Sequence, residues 1–118
     1  FCLNASLEQP INVYKTALNQ YRPYLSLRDA FKLFKLTIEK DLFKNDIYNA
    51  LSENCTVKQI LKRIKKHKKK IKIKFVSSRI MNQLSYHVDK KKLNSEGILL
   101  NHNIEKDIHD TIKTLRNI

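Results

Sequence analysis

Glycine is almost missing from this chain: Gly97 is the single one among 118 residues, beside two prolines and no tryptophan. One glycine cannot build a phosphate-cradling GxxxxGK[ST] or GxGxxG loop. Cysteine is equally scarce. Cys2 and Cys55 cannot make a disulfide framework, and they lack the CxxC spacing of a zinc site. A reducing compartment is the default. No apolar run approaches the ~18–20 residues of a membrane span. Phe1–Leu7 is too short, and lacks the basic flank, to be a signal peptide.

Catalytic patterns are also absent. His67, His87, His102 and His109 form neither HxxxH nor HExxH, so no metal site is expected. Ser77-Ser78 has no neighbouring His or acid that would mark a nucleophile. The acids show no paired-carboxylate arrangement. The expectation is a protein that is not an enzyme, with no catalytic residues and no cofactor.

What the chain has in abundance is positive charge: 24 Lys and Arg against 11 Asp and Glu, a net of +13. The excess sits in the middle third. Residues 1–56 net +1, residues 57–95 net +13, and residues 96–118 net −1. Between Val57 and Lys74 stand ten Lys/Arg, one His and no acid. Ile60, Leu61, Ile64, Ile71, Ile73 and Phe75 recur through that charge, which argues against a disordered linker. A one-sided patch of this kind favours a polyanionic partner. Lysine outnumbers arginine 19 to 5, and isoleucine and asparagine are enriched. This is the usage of an AT-rich coding sequence, as in an organellar or AT-rich protist genome. A start at Phe1 implies a processed chain, a fragment or an unusual start codon.

The coarse pattern predicts helices over 11–22 and 26–43, separated by Pro23. Ser26 is a plausible N-cap, Asp29 completes a weak capping box, and Leu27, Phe31, Phe34 and Ile38 share one face. Tyr14, Tyr21, Tyr24, Phe31, Phe34 and Phe43 cluster in this neutral N-terminal part, and at that spacing they read as core rather than as a stacking platform for bases. Asp46–Glu53 reads as a further helical turn. Thr56 then caps a helix from Val57 to about Lys68, with Val57, Ile60, Leu61 and Ile64 on its apolar side. Ile71–Ser77 alternates apolar and polar and predicts a strand. A short helix near Asn82–His87 and a loop over Lys90–Gly97 follow. Ile104, Ile108, Ile112 and Leu115 have helical spacing, whereas Ile98-Leu99-Leu100 looks like a strand.

From Thr56 onward the order of elements resembles the C-terminal domain of the small-subunit ribosomal protein S-three family. Val76-Ser77-Ser78-Arg79-Ile80 stands where that family has V-S-G-R-L. Glu96-Gly97, His102, Ile104 and Asp107-Ile108 stand in register with its E-G-x-x-x-L-H-x-L-x-x-D-I segment. The resemblance covers about residues 56–112. Lys58 and Gln59 fall at the family's arginine pair, and Lys62 at its lysine.

The resemblance implies an α+β fold: a helical extension over 1–55, then an incomplete S-three-like helix-plus-sheet domain over 56–118, without the family's KH half. It places Ile98–Ile108 at least partly in a sheet. The implied function is a structural constituent of the small ribosomal subunit that binds rRNA and lines the tunnel by which mRNA enters. The RNA-binding residues would be Lys58, Lys62, Arg63, Lys65, Lys66, Lys68, Lys69, Lys70, Lys72, Lys74 and Arg79. Implied partners are small-subunit rRNA, mRNA, neighbouring ribosomal proteins and a separate chain carrying the KH half, with no membrane. The implied location is the mitochondrial ribosome, in a ciliate-like setting where split ribosomal genes occur. The alternatives are a basic nucleoid or DNA-binding protein, or a peripheral membrane-binding protein of an AT-rich organism.

Overall fold

The computed structural model describes residues 1–42, 45–77 and 85–116. The chain is mixed α+β, with five α-helices and two small sheets among the described residues. After α1 (Cys2–Ser6), the predicted helix over 11–22 is replaced by two strands, β1 (Ile11–Tyr14) and β2 (Tyr21–Tyr24), with a 3₁₀ turn at Lys15–Ala17 between them. The reason is tertiary. Ile11 and Val13 are buried while Asn12 and Tyr14 face out, the period-two pattern of a strand. β1 pairs in parallel with β4 (Ile73–Val76), Ile11 opposite Ile73 and Val13 opposite Phe75. A partner some sixty residues away thus settles a four-residue segment whose local spacing is ambiguous.

β2 pairs antiparallel with β3 (Glu53–Thr56), with Pro23 opposite Asn54. Pro23 therefore sits inside a strand rather than between helices. Both strands of a two-stranded sheet are edges, where a missing N–H is tolerated. The helical turn predicted over Asp46–Glu53 does not form; Glu53 begins β3 instead.

α2 (Leu27–Glu39) starts where Ser26 marks it, the Ser26 hydroxyl accepting from the Arg28 N–H. Asp29 does not complete a capping box. It is buried and accepts from the Ser52 hydroxyl at 2.6 Å and the His102 N–H at 2.8 Å. α3 (Val57–His67) carries a full capping box, the Gln59 N–H donating to the Thr56 hydroxyl while the Gln59 side chain accepts from the Thr56 N–H. Ile60, Leu61 and Ile64 are its buried residues. β4 confirms the strand predicted after the basic helix, though Ile73 and Phe75 remain exposed.

The Lys90–Gly97 loop contains one short helix, α4 (Lys91–Ser95), and Gly97 follows it at φ +75°. Glycine adopts that angle without steric cost, and a Cβ there would also stand 2.9 Å from the Lys40 Nζ. The strand expected within Ile98–Ile108 is absent. Ile98 and Leu100 are buried, but no ladder forms, and Asn103 caps α5 (Ile104–Leu115) instead. No helix forms over described residues 85–87; the remainder of that predicted segment, Arg79 and most of the V-S-S-R-I motif lie outside the described residues.

Two apolar clusters hold the fold. The larger joins Ala5, Ile11, Val13 and Cys55 to Ile60, Leu61 and Ile64 of α3 and to Ile104, Ile108 and Ile112 of α5. The smaller is Leu93, Ile98 and Leu100, packed by Leu33 and Leu36 of α2 with Leu42, Tyr48 and Ala50. The molecule measures 46 × 37 × 18 Å. With helices about 10 Å across, such a slab is barely two elements thick, so outer helix faces meet solvent.

Candidate functional site

The cationic stripe forms as a surface. Lys58, Lys62 and Lys65 project within about 60° of one another around α3, at 100° per residue, beside its buried apolar side. They are exposed, as are Lys69, Lys70, Lys72 and Lys74, and none of these seven forms an ion pair with a described residue. The other members are engaged in holding the fold. Arg63 makes a two-pronged pair with Glu53 and also meets the Cys55 sulfur at 3.4 Å. Lys66 pairs with Glu105 at 2.9 Å, and Lys68 with Glu8 at 3.0 Å. The Arg63 guanidinium holds the Glu53 carboxyl below its ordinary range. Burial, reinforced by the Glu53 hydrogen bond, pushes the Cys55 thiol up to about 11. That thiol stays protonated at neutral pH and is no nucleophile.

A second site was not visible in the sequence. Ala17, Gln20, Arg22, Tyr24 and Val57 line an open pocket of about 370 Å³. Three local features bring them together: the 3₁₀ turn after β1, the strand β2, and the first turn of α3, whose Lys58 N–H is bonded to the Leu18 carbonyl at 2.9 Å. The Arg22 guanidinium donates to the Tyr21 carbonyl and to the Gln20 Oε1, both at 2.7 Å. It also lies 5.3 Å from the centroid of the Tyr86 ring. Beside it the Tyr21 and His87 rings stand 4.1 Å apart at 41°. Burial raises the Tyr24 hydroxyl above its ordinary value, with Arg22 opposing, so Tyr24 remains a protonated donor at neutral pH. A fixed guanidinium and a neutral phenol on one pocket suit an anionic ligand. The available signal was arginine itself: in so lysine-biased a chain, each of five arginines stands against the prevailing usage.

Among the described residues no group of three or more His, Cys, Asp or Glu side chains could hold a metal ion. No described helix is long and apolar enough to cross a membrane.

By sequence, no family model and no curated protein matches this chain. Solved structures do. The UDP-glucose 4-epimerase of Thermus thermophilus, in complex with NAD, matches 98% of this chain with a TM-score of 0.78 at 19% identity. RMD from Pseudomonas aeruginosa, complexed with NADPH, matches 98% with a TM-score of 0.73 at 10% identity. This chain spans only 38% and 39% of those two. The likeness is one of fold.

That finding overturns the ribosomal reading. The fold is not that of the S-three C-terminal domain but that of a portion of larger NAD- and NADPH-binding proteins. The ribosomal, RNA-binding function falls with it, and the nucleoid and membrane alternatives gain no support. The match also speaks against the expectation of a protein outside the enzymes, one of the matched proteins being an epimerase.

Proposed function

We propose that this chain is the substrate-side part of an NAD(P)-dependent enzyme that converts nucleotide sugars, and that the Arg22 pocket receives the substrate's nucleoside diphosphate. The observation that carries this is the match of nearly the whole chain to 38% of a UDP-glucose 4-epimerase. The part matched is not built to hold a dinucleotide. A dinucleotide site needs a Gly-rich turn between a strand and a helix, on an open parallel sheet. This chain has one glycine, and its two sheets among the described residues have two strands each. Its residues do not fit NAD. The division of labour follows: another body holds the dinucleotide, and this one holds the sugar nucleotide.

The pocket's chemistry agrees with that assignment. Arg22 supplies a planar cation that Gln20 and the Tyr21 carbonyl hold in place, and its positive charge favours a phosphate. Tyr24 offers a hydroxyl donor. Calorimetric titration with UDP and UDP-glucose tests the reading. Arg22→Ala should weaken binding about 10- to 150-fold, the equivalent of ~1.5–3 kcal/mol for a charged hydrogen-bond donor. Lys62→Ala/Lys65→Ala should bind as the parent does. Unchanged affinity on losing Arg22, or an equal loss on losing the two lysines, would mean that the diphosphate merely samples a cationic surface.

A further inference from the structure

α3 touches two pockets. Its first residue, Val57, lines the Arg22 pocket, and its last turn lines another, about 15 Å along the helix. This second pocket encloses about 440 Å³ between Lys66 and His67 of α3 and His109, Ile112, Lys113 and Arg116 at the end of α5. No described carboxylate lines it. Cations in the last turn of a helix ordinarily offset its dipole, and Arg116 does so, its guanidinium donating to the His67 carbonyl at 3.2 Å. The charge present exceeds that need. Lys66 is balanced by Glu105 at 2.9 Å, and Asp110, beside the His109 ring, is balanced by Arg28 at 3.3 Å. Lys113 and Arg116 meet no carboxylate among the described residues. The His67 and His109 rings stand 4.9 Å apart at 56°. His67 Nε2 is buried without a hydrogen-bond partner among the described residues, Glu105 Oε1 lying 3.7 Å away. A buried polar atom left unpaired is costly, and an oxyanion supplies what an Nε2–H group there lacks.

We infer that this pocket is a second ligand site, for the dianion of a small phosphate, either the free ion or a monoester. The inference goes beyond the function proposed above and does not rest on it. The two uncompensated cations match the charge of about −1.5 to −2 that such a group carries at neutral pH. Arg116 spends one N–H group on the His67 carbonyl, and its others can meet phosphate oxygens. The two imidazoles alone would suit a metal ion, but Lys66, Lys113 and Arg116 around them repel one. An apolar ligand would find only Ile112 among the lining side chains. A nucleic acid would follow the exposed lysines of α3, and Lys58, Lys62 and Lys65 do not line this pocket. The site is concave and takes one phosphate group rather than a backbone of them.

The test follows the imidazole Cε1–H signals in proton–carbon correlation NMR spectra. It uses an Arg22→Ala background, so that the first pocket plays no part. Inorganic phosphate and methyl phosphate are titrated at constant pH in about 0.15 M salt, where exposed charges are screened beyond ~8 Å. The His67 and His109 signals should shift and saturate while the His87 signal stays. Saturation by both probes supports a monoester site, and saturation by inorganic phosphate alone supports a site for the free ion. Lys113→Ala/Arg116→Ala should weaken binding at least about 10-fold. Lys113→Glu, which keeps the Arg116–His67 bond and hence the fold, should weaken it as much. Lys62→Ala/Lys65→Ala should leave it unchanged. Four results would overturn the inference: no saturable shift at His67 and His109, an equal shift at His87, an equal loss on removing Lys62 and Lys65, or single-stranded RNA binding that needs those two lysines and displaces the phosphate. The UDP titration on the parent chain is independent of all four, so the two proposals fail separately.

Discussion

Asp29 should be the most costly acidic residue in this fold to delete, because its carboxylate is not on the surface. It is 4% exposed, in the first turn of α2. One oxygen, Oδ2, accepts both the Ser52 hydroxyl at 2.6 Å and the His102 N–H at 2.8 Å. Ser52, itself 5% exposed, in turn accepts the Ser26 N–H at 2.9 Å. A single relay thus ties the start of α2 to the segment before β3 and to the residues ahead of α5. Asp29→Ala strands two donors. Each buried donor left unpaired costs about 1–3 kcal/mol, so the variant should lose about 2–5 kcal/mol, a large share of a typical ~5–15 kcal/mol domain stability. Because both bonds end on one oxygen, Asp29→Asn can keep them with its amide oxygen and lose only the assistance of charge. Its cost should be no more than half that of the alanine variant.

Urea unfolding followed by far-UV circular dichroism reads the difference. With a slope of about 1–3 kcal/mol/M, Asp29→Ala should move the midpoint down by roughly 1–3 M, and Asp29→Asn by clearly less. Equal midpoints for the two variants would show that the carboxylate's charge, not its acceptor geometry, is what matters. A midpoint within about 0.3 M of the parent for Asp29→Ala would refute the relay altogether.

Ile64, which is fully buried in the larger cluster, should lose about 2–5 kcal/mol on truncation to alanine. Phe34→Ala removes a larger side chain but should cost the free chain under about 0.5 kcal/mol, because that side chain faces solvent; the same urea titration decides both. Glu53 titrates below its ordinary 4.5 when folded because of its hydrogen bonds from Arg63. A lowered folded value means stability that is present above pH 4.5 and is lost as pH falls through the folded value, so Glu53→Gln should flatten the acid limb of the stability curve below about pH 4.5. That effect should survive 0.5 M salt, since the pair is half-buried, whereas any acid sensitivity from the exposed Glu105–Lys66 pair should be screened away.

What the sequence made legible is what neighbouring residues decide. Thr56 and Gln59 are three apart, and the helix they start is where they place it. Ser26 caps α2, and Ile104, Ile108 and Ile112 line the buried side of α5. β4 follows from the alternation of Ile71, Ile73 and Phe75. What stayed hidden depends on distant partners. β1 and β2 are four residues each, too short for spacing to separate strand from helix, and their partners lie in the middle third of the chain. The Arg22 pocket needs three segments to meet and has no motif at all. The apolar period of α2 was correct, but a period shows that a face is apolar and not what covers it; hence Phe31 and Phe34, expected in the core, stand in solvent.

The resemblance that misled has a physical explanation of the same kind. Glu96-Gly97 is a helix-stop signal: Gly97 takes a positive φ just past the end of α4, which many folds use at such a point. His102, Ile104 and Asp107-Ile108 are set by the start of an amphipathic helix, Asn103 at its cap and Asp107 in its first turn. Matching them to another family matched the grammar of helix ends, and that grammar is shared across folds. The charge argument slipped in a parallel way. Lysine outnumbers arginine 19 to 5 along the chain, and the outer side of α3 carries it, exposed, at Lys58, Lys62 and Lys65. Exposed lysines are therefore weak witnesses to a ligand in this chain. The four described arginines each meet a carboxylate or line a pocket: Arg28 with Asp110, Arg63 with Glu53, Arg22 at the proposed diphosphate site, and Arg116 beside His67 and His109.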